Sequence, residues 1–159
     1  MKGTEEKIRE WKAVHGEILK VQSEEELAFL KKPSVKEIEQ YNQLKEEDTY
    51  QALEFLFYKC VLEENKSYED EFVLSATKSL IEQLPNANDS VLSKESGVDG
   101  IKKSAALVRH FFHVDPYELS IDEFYKLVGE ALWLQEHKNK QLEVALANVL
   151  VKTFANGTF

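Results

Sequence analysis

LSIDEFYKLVGEALWLQEHKNKQLEVALANVL (residues 119–150) reads as helix from its first residues. Ser120 can accept from the free N–H groups of a first turn while Glu123, three residues on, returns a bond, which is the pattern of a capping box. Leu119 and Phe124 flank that box at the spacing of a hydrophobic staple, so a helix is predicted to begin at Ile121. Phe124, Leu127, Val128, Ala131 and Leu134 then recur at helical spacing and form an inward stripe. The polar run QEHKNKQ (135–141) interrupts the stripe before Leu142, Leu146, Val149 and Leu150 resume it. Two arrangements fit: one long helix that projects past its core, or two helices meeting near Asn139. Periodicity does not choose between them.

Working outward, GIKKSAALVRHFF (100–112) places Ile101, Ala105, Val108 and Phe112 on one helical face. It stops before Asp115-Pro116, because the residue preceding a proline is pushed out of the α region. PNANDSVLSKESGV (85–98) is rich in small polar residues, lacks periodicity, and reads as a linker or mobile loop. It divides an N-terminal lobe (1–84) from a C-terminal helical lobe (99–159).

Within the N-terminal lobe a first helix is expected from a cap at Thr4 to Gly16, with Ile8, Trp11 and Val14 inward. EILKVQ (17–22) and ELAFLK (26–31) alternate apolar and polar residues around a three-residue SEE, predicting a β-hairpin. That register puts Leu19 and Val21 on one face with Leu27 and Phe29. An isolated hairpin is marginal in water, so this one must lie against helices or another chain. Pro33 ends the second strand, and Ser34 with Glu37 forms a capping box for a helix through about Lys45 with Ile38 and Tyr41 inward. TYQALEFLFYKCVLEE (49–64) is apolar almost all round, the mark of a central helix. A further helix, capped by Ser67 and Asp70, carries Phe72, Val73, Ala76, Leu80 and Leu84 and ends at Pro85. The expected fold is mainly α: a helical bundle of about six to seven helices with a small N-terminal β-hairpin.

Composition narrows the function. With 43% apolar and 31% charged residues over 159 positions, the chain is expected to build a real core. No run approaches a membrane span and MKGTEEKIREWK lacks the apolar stretch of a secretory signal, so a cytoplasmic location is expected. The net charge of -9 repels phosphate backbones and argues against nucleic acid as a partner. Most of the excess lies before Pro85, where 19 acidic residues face 12 basic ones. A single cysteine, Cys60, excludes an internal disulfide, and its setting in FLFYKCVL reads as a small core residue rather than a nucleophile.

Chemistry has few anchors. His110 and His113, three apart with Asp115 beyond, could bring ligands to a metal, but no second HxxH or ExxH pair completes a shell. His113 before Asp115-Pro116 also fits a helix C-terminus, where a histidine complements the dipole. Neither a G-x-S-x-G elbow nor a Gly-rich phosphate loop is present. No catalytic residue, cofactor or metal ligand is assigned. The aromatic surplus of 9 Phe, 6 Tyr and 2 Trp is mostly core, with Tyr117, Tyr125 and Trp133 left as candidate partner-binding anchors. A groove between helices could take a partner's apolar helix.

In chain order, WKAVHGEILKV, AFLKKPSVKEIEQY, ALEFLFYKCVLEE and EFVLSATKSLIEQL resemble a group of small phage proteins encoded among tail genes. RHFFHVDPYELSIDEFYKLVGEALWLQE is similar to the helical part of phage tail-assembly chaperones, where a D-P-x-x-L turn introduces a helix with a W-L pair. The resemblance covers most of the chain apart from the linker. It implies a non-catalytic factor of the host cytoplasm that binds the tape-measure protein and recruits tail-tube proteins, with no cofactor, nucleic acid or membrane partner, and it is compatible with a homo-oligomer. Many such proteins are made as two products by a frameshift. Two alternatives stand beside it: an acidic helical adaptor or inhibitor of a host protein, and a metal-dependent enzyme using His110 and His113.

Overall fold

The computed structural model describes residues 3–84 and 100–157, and the expected linker at 85–98 lies outside them. The described residues form six α-helices and one antiparallel hairpin, a mainly α fold. The order is α1 (Thr4–His15), β1 (Ile18–Gln22), β2 (Leu27–Lys31), α2 (Val35–Glu47), α3 (Thr49–Cys60), α4 (Asp70–Glu82), α5 (Gly100–Phe112), a 3-10 turn (Pro116–Glu118) and α6 (Ile121–Ala155).

Most helix starts have a local cause in the sequence. At α2 the Ser34 hydroxyl accepts from the Glu37 N–H at 3.2 Å, and the Glu37 carboxylate accepts from the Ser34 N–H at 2.8 Å. The two bonds satisfy donors that the first turn leaves open. At α3 the Asp48 carboxylate accepts from the N–H groups of Tyr50 and Gln51. At α6 the Ser120 hydroxyl accepts from the Glu123 N–H at 3.3 Å. Two starts differ from expectation. Thr4 is the first helical residue and Gly3 holds the cap position. In α4 the cap position is Glu69, not Ser67. The Glu69 N–H instead donates to the Glu26 carboxylate at 3.0 Å, tying α4 to the hairpin loop.

The hairpin forms, but its register departs from the sequence reading. Leu19 pairs with Leu30 and Val21 with Ala28, so Phe29 falls opposite Lys20 on the other face. The loop is four residues, Ser23–Glu26, rather than three: the Ser23 N–H donates to the Glu26 carbonyl at 2.8 Å, and the Glu26 N–H donates to the Ser23 hydroxyl at 3.0 Å. One extra loop residue moves the whole second strand to the opposite face, because side chains alternate with period two. Phe29 is buried there against Trp11 of α1, with ring centroids 5.6 Å apart. Val14, expected inward, is exposed.

Two apolar clusters form the interior. The first gathers Ala28 and Leu30 of β2, Tyr41 of α2, five residues of α3 including Leu56 and Phe57, Tyr68, and Phe72, Val73, Ala76 and Leu80 of α4. Helix α3 is its centre, as its apolar circumference predicts, although Tyr50 and Tyr58 remain exposed. It ends at Cys60, earlier than expected, because Val61 turns extended to bridge Leu30 and the Leu62 N–H donates to the Phe29 carbonyl at 2.9 Å. Thr77, fully buried between α3 and α4, keeps its hydroxyl 2.7 Å from the Val73 carbonyl and 3.2 Å from that of Leu53. The second cluster joins Ile101, Ala105 and Val108 of α5 to Ile121, Phe124 and Val128 of α6. Val35, the first residue of α2, belongs to this second cluster and so anchors the N-terminal elements on it.

The sequence left open whether 121–155 is one helix or two. It is one helix of 35 residues, about 52 Å long at 1.5 Å per residue. Between Gly129 and Gly157 the sequence has neither glycine nor proline to stop it. The polar stretch is held by contacts four residues apart: Glu136 with Lys140 at 2.9 Å, Trp133 stacked on His137, and His137 with Gln141 at 3.2 Å. No helix among the described residues is long and apolar enough to cross a membrane.

Candidate protein-binding surface

Helix α6 changes environment along its length. From Ile121 to Ala131 its inward stripe is buried in the second cluster, and the Lys138 ammonium sits 5.2 Å from the ring centre of Phe111 at the end of α5. Beyond that point the helix stands clear of the described body. Leu142, Val144, Leu146, Val149, Leu150 and Val151 are 56–66% exposed. Leu142, Leu146, Val149 and Leu150, expected inward, therefore face outward. Between Leu142 and Ala155 the polar positions are Glu143, Asn148, Lys152 and Thr153, and the other ten are apolar. A helix apolar on nearly all sides is ordinarily covered by protein. The signal was present in the sequence as this change from a one-sided to an all-round apolar pattern after Gln141.

The three aromatic anchors expected from the sequence do not converge. Trp133 is 62% exposed and lines an open groove of about 520 Å3 with Lys126, Gly129, Glu130 and Leu134. Tyr117 and Tyr125 do not line it. Both are half-buried against the second cluster, Tyr125 with its ring centroid 5.3 Å from that of Phe124. The indole face of Trp133 is partly covered by its parallel stack on His137. Glycine at position 129 leaves the groove floor open, since a Cβ there would meet no heavy atom within 4 Å.

A second cleft, about 420 Å3, opens where the hairpin meets α6, lined among others by His15, Glu17, Lys32, Ser34 and Asp122. Its charges are already engaged with one another. Lys32 pairs with Asp122 at the start of α6 and with Glu17 at 2.8 Å. Burial pulls the Lys32 ammonium downward, but the hydrogen bonds to Asp122 and Glu17 outweigh it and hold it above its ordinary value; Lys32 in turn lowers Glu17. This lysine works as a tie between β2 and α6.

The histidine pair is not brought together as a ligand set. Helix α5 ends at Phe112, and His113 takes a positive φ of 55° while its N–H closes the helix on the Arg109 carbonyl. His110 stays on the last turn, edge-on to Phe111. The Asp115 carboxylate accepts from the Tyr117 N–H at 3.1 Å and caps the 3-10 turn. Among the described residues no three His, Cys, Asp or Glu side chains are grouped to hold a metal ion. Cys60 is fully buried, and burial pushes its thiol up to about 12, which removes the thiolate at neutral pH.

Compared with known proteins, the chain matches no family model, no curated protein and no solved structure.

Proposed function

We propose that this protein acts by binding other polypeptides, without chemistry of its own, and specifically as a phage tail-assembly chaperone that holds tape-measure and tail-tube proteins. One observation carries the protein-binding reading: the distal half of α6 presents apolar side chains on nearly every side and leaves them open. Covering such a surface with another helix is a favourable way to remove it from water. The open groove at Trp133 lies on the same helix and supplies an aromatic anchor of the kind that dominates interface energetics. The tail-specific part rests on the resemblance of the quoted segments. A tape-measure protein is long and helical, so an acidic factor with an apolar helical arm suits it chemically.

The test is co-expression with tape-measure and tube proteins encoded beside the gene. Retention of a tape-measure fragment by the wild type, and its loss in V144E/V151E, is the expected result. Neighbouring genes unrelated to tails, with no retention of either protein, would remove the tail assignment. The excess of acidic residues before Pro85 favours a second reading, an adaptor or inhibitor of a basic host protein. Its mark is binding that weakens steeply as salt rises.

A further inference from the structure

We infer that the distal half of α6 pairs with the same segment of a second copy of this chain, antiparallel, through the seam Leu142, Leu146, Val149 and Thr153. This rests on the protein-binding reading above and names the occupant. The seam has spacings of four, three and four residues, so it reads the same in both directions. A two-fold axis between residues 147 and 148 therefore sets Leu146 against Val149 of the second copy and Leu142 against its Thr153. Small side chains at Ala145 and Ala147 let the two backbones approach.

Area and charge select this occupant and this direction. The six exposed side chains from Leu142 to Val151 leave on the order of 700 Å2 open per copy, close to the roughly 800 Å2 that one side of a stable interface contributes. Residues 135–157 carry three Lys and two Glu, so the net charge of -9 belongs to the rest of the chain. Parallel pairing would set two strongly acidic bodies side by side. Antiparallel pairing leaves them roughly 30 Å apart, measured along the helix from Lys138 of one copy to Lys138 of the other at 1.5 Å per residue. That is several times the screening length of about 8 Å at physiological ionic strength. The overlap also fits the free length: with the axis at 147/148, Ala155 of one copy lies opposite Lys140 of the other, just short of the Lys138 contact with Phe111.

The test uses the full chain in analytical ultracentrifugation up to about 100 µM, a concentration suited to an interface at the small end of the range. A dimer mass is expected. L146E/V149E places four carboxylates at the centre of the pair and should weaken association at least 100-fold while helix content is retained, because both residues lie outside the cores. Direction is read by disulfide trapping: L142C mixed with T153C should yield a cross-linked heterodimer, and neither alone should cross-link. A monomer at the highest concentration, a species larger than a dimer, or cross-linking of L142C to itself would each overturn the inference. A monomer that still retains the tape-measure fragment sinks the pairing alone. A dimer that retains no tail protein sinks the tail reading alone.

Discussion

Ser34 and Ser120, each the N-cap of a helix, face one another as an antiparallel bridge, with the Val35 N–H donating to the Leu119 carbonyl at 3.1 Å and the Ile121 N–H to the Pro33 carbonyl at 3.0 Å. The first N–H groups of a helix have no partner within it. Here each helix start supplies the acceptor for the other, so α2 and α6 are fixed relative to each other by backbone bonds as well as by the burial of Val35 in the second cluster.

Each serine cap should therefore be worth more together than apart. Replacing one of them by alanine is expected to cost about 1 kcal/mol. The S34A/S120A double variant should depart from the sum of the two single effects, because residues in direct contact couple. Urea denaturation of the four proteins in a double-mutant cycle measures the departure, and strict additivity would count against a shared junction.

The Lys32 tie gives a pH window. The ammonium is raised in the fold, so its contribution is complete below the ordinary value of 10.5 and is lost as pH climbs through the raised value. Glu17 is lowered, so its contribution is complete above the ordinary 4.5 and is lost as pH falls through the lowered value. The difference in urea midpoint between wild type and K32M is expected to be flat from about pH 5 to pH 10 and to shrink on both sides.

Cys60 should be silent to thiol reagents. Its side chain is fully buried and its thiol is pushed up to about 12, so at pH 8 the native protein is expected to resist modification, whereas the unfolded chain reacts with one equivalent. Rapid native labelling, followed by absorbance of the released thiolate, would contradict the packing around α3.

Core truncations should be severe and an exposed one mild. Phe57→Ala in the first cluster and Phe124→Ala in the second, both fully buried, are each expected to cost about 3–5 kcal/mol. Trp133→Ala, on the open groove, should change stability by less than about 0.5 kcal/mol. The comparison is made by urea denaturation followed by circular dichroism, and a large cost at Trp133 would mean that the groove is part of the core.

Much of the fold was legible because helix boundaries are local events. The Ser34–Glu37 box, the Ser120 cap and the break before Pro116 each depend on residues within a few positions of one another, and all three lie where the sequence places them. The candidate surface was legible only in part. Trp133 is exposed on α6, while Tyr117 and Tyr125, equally aromatic in sequence, are half-buried by the contacts that close the second cluster.

The sequence by itself determined which segments are helical, that a hairpin follows α1, and that the distal part of α6 is apolar on nearly all sides. Tertiary structure decided the rest: the hairpin register, through one additional loop residue; the pairing of two helix caps from opposite ends of the chain; and the stretch of α6 that the body covers. The physical reason is that capping and periodicity act over a few residues and state which side chains favour burial, whereas the surface that buries them is supplied by residues distant in the chain.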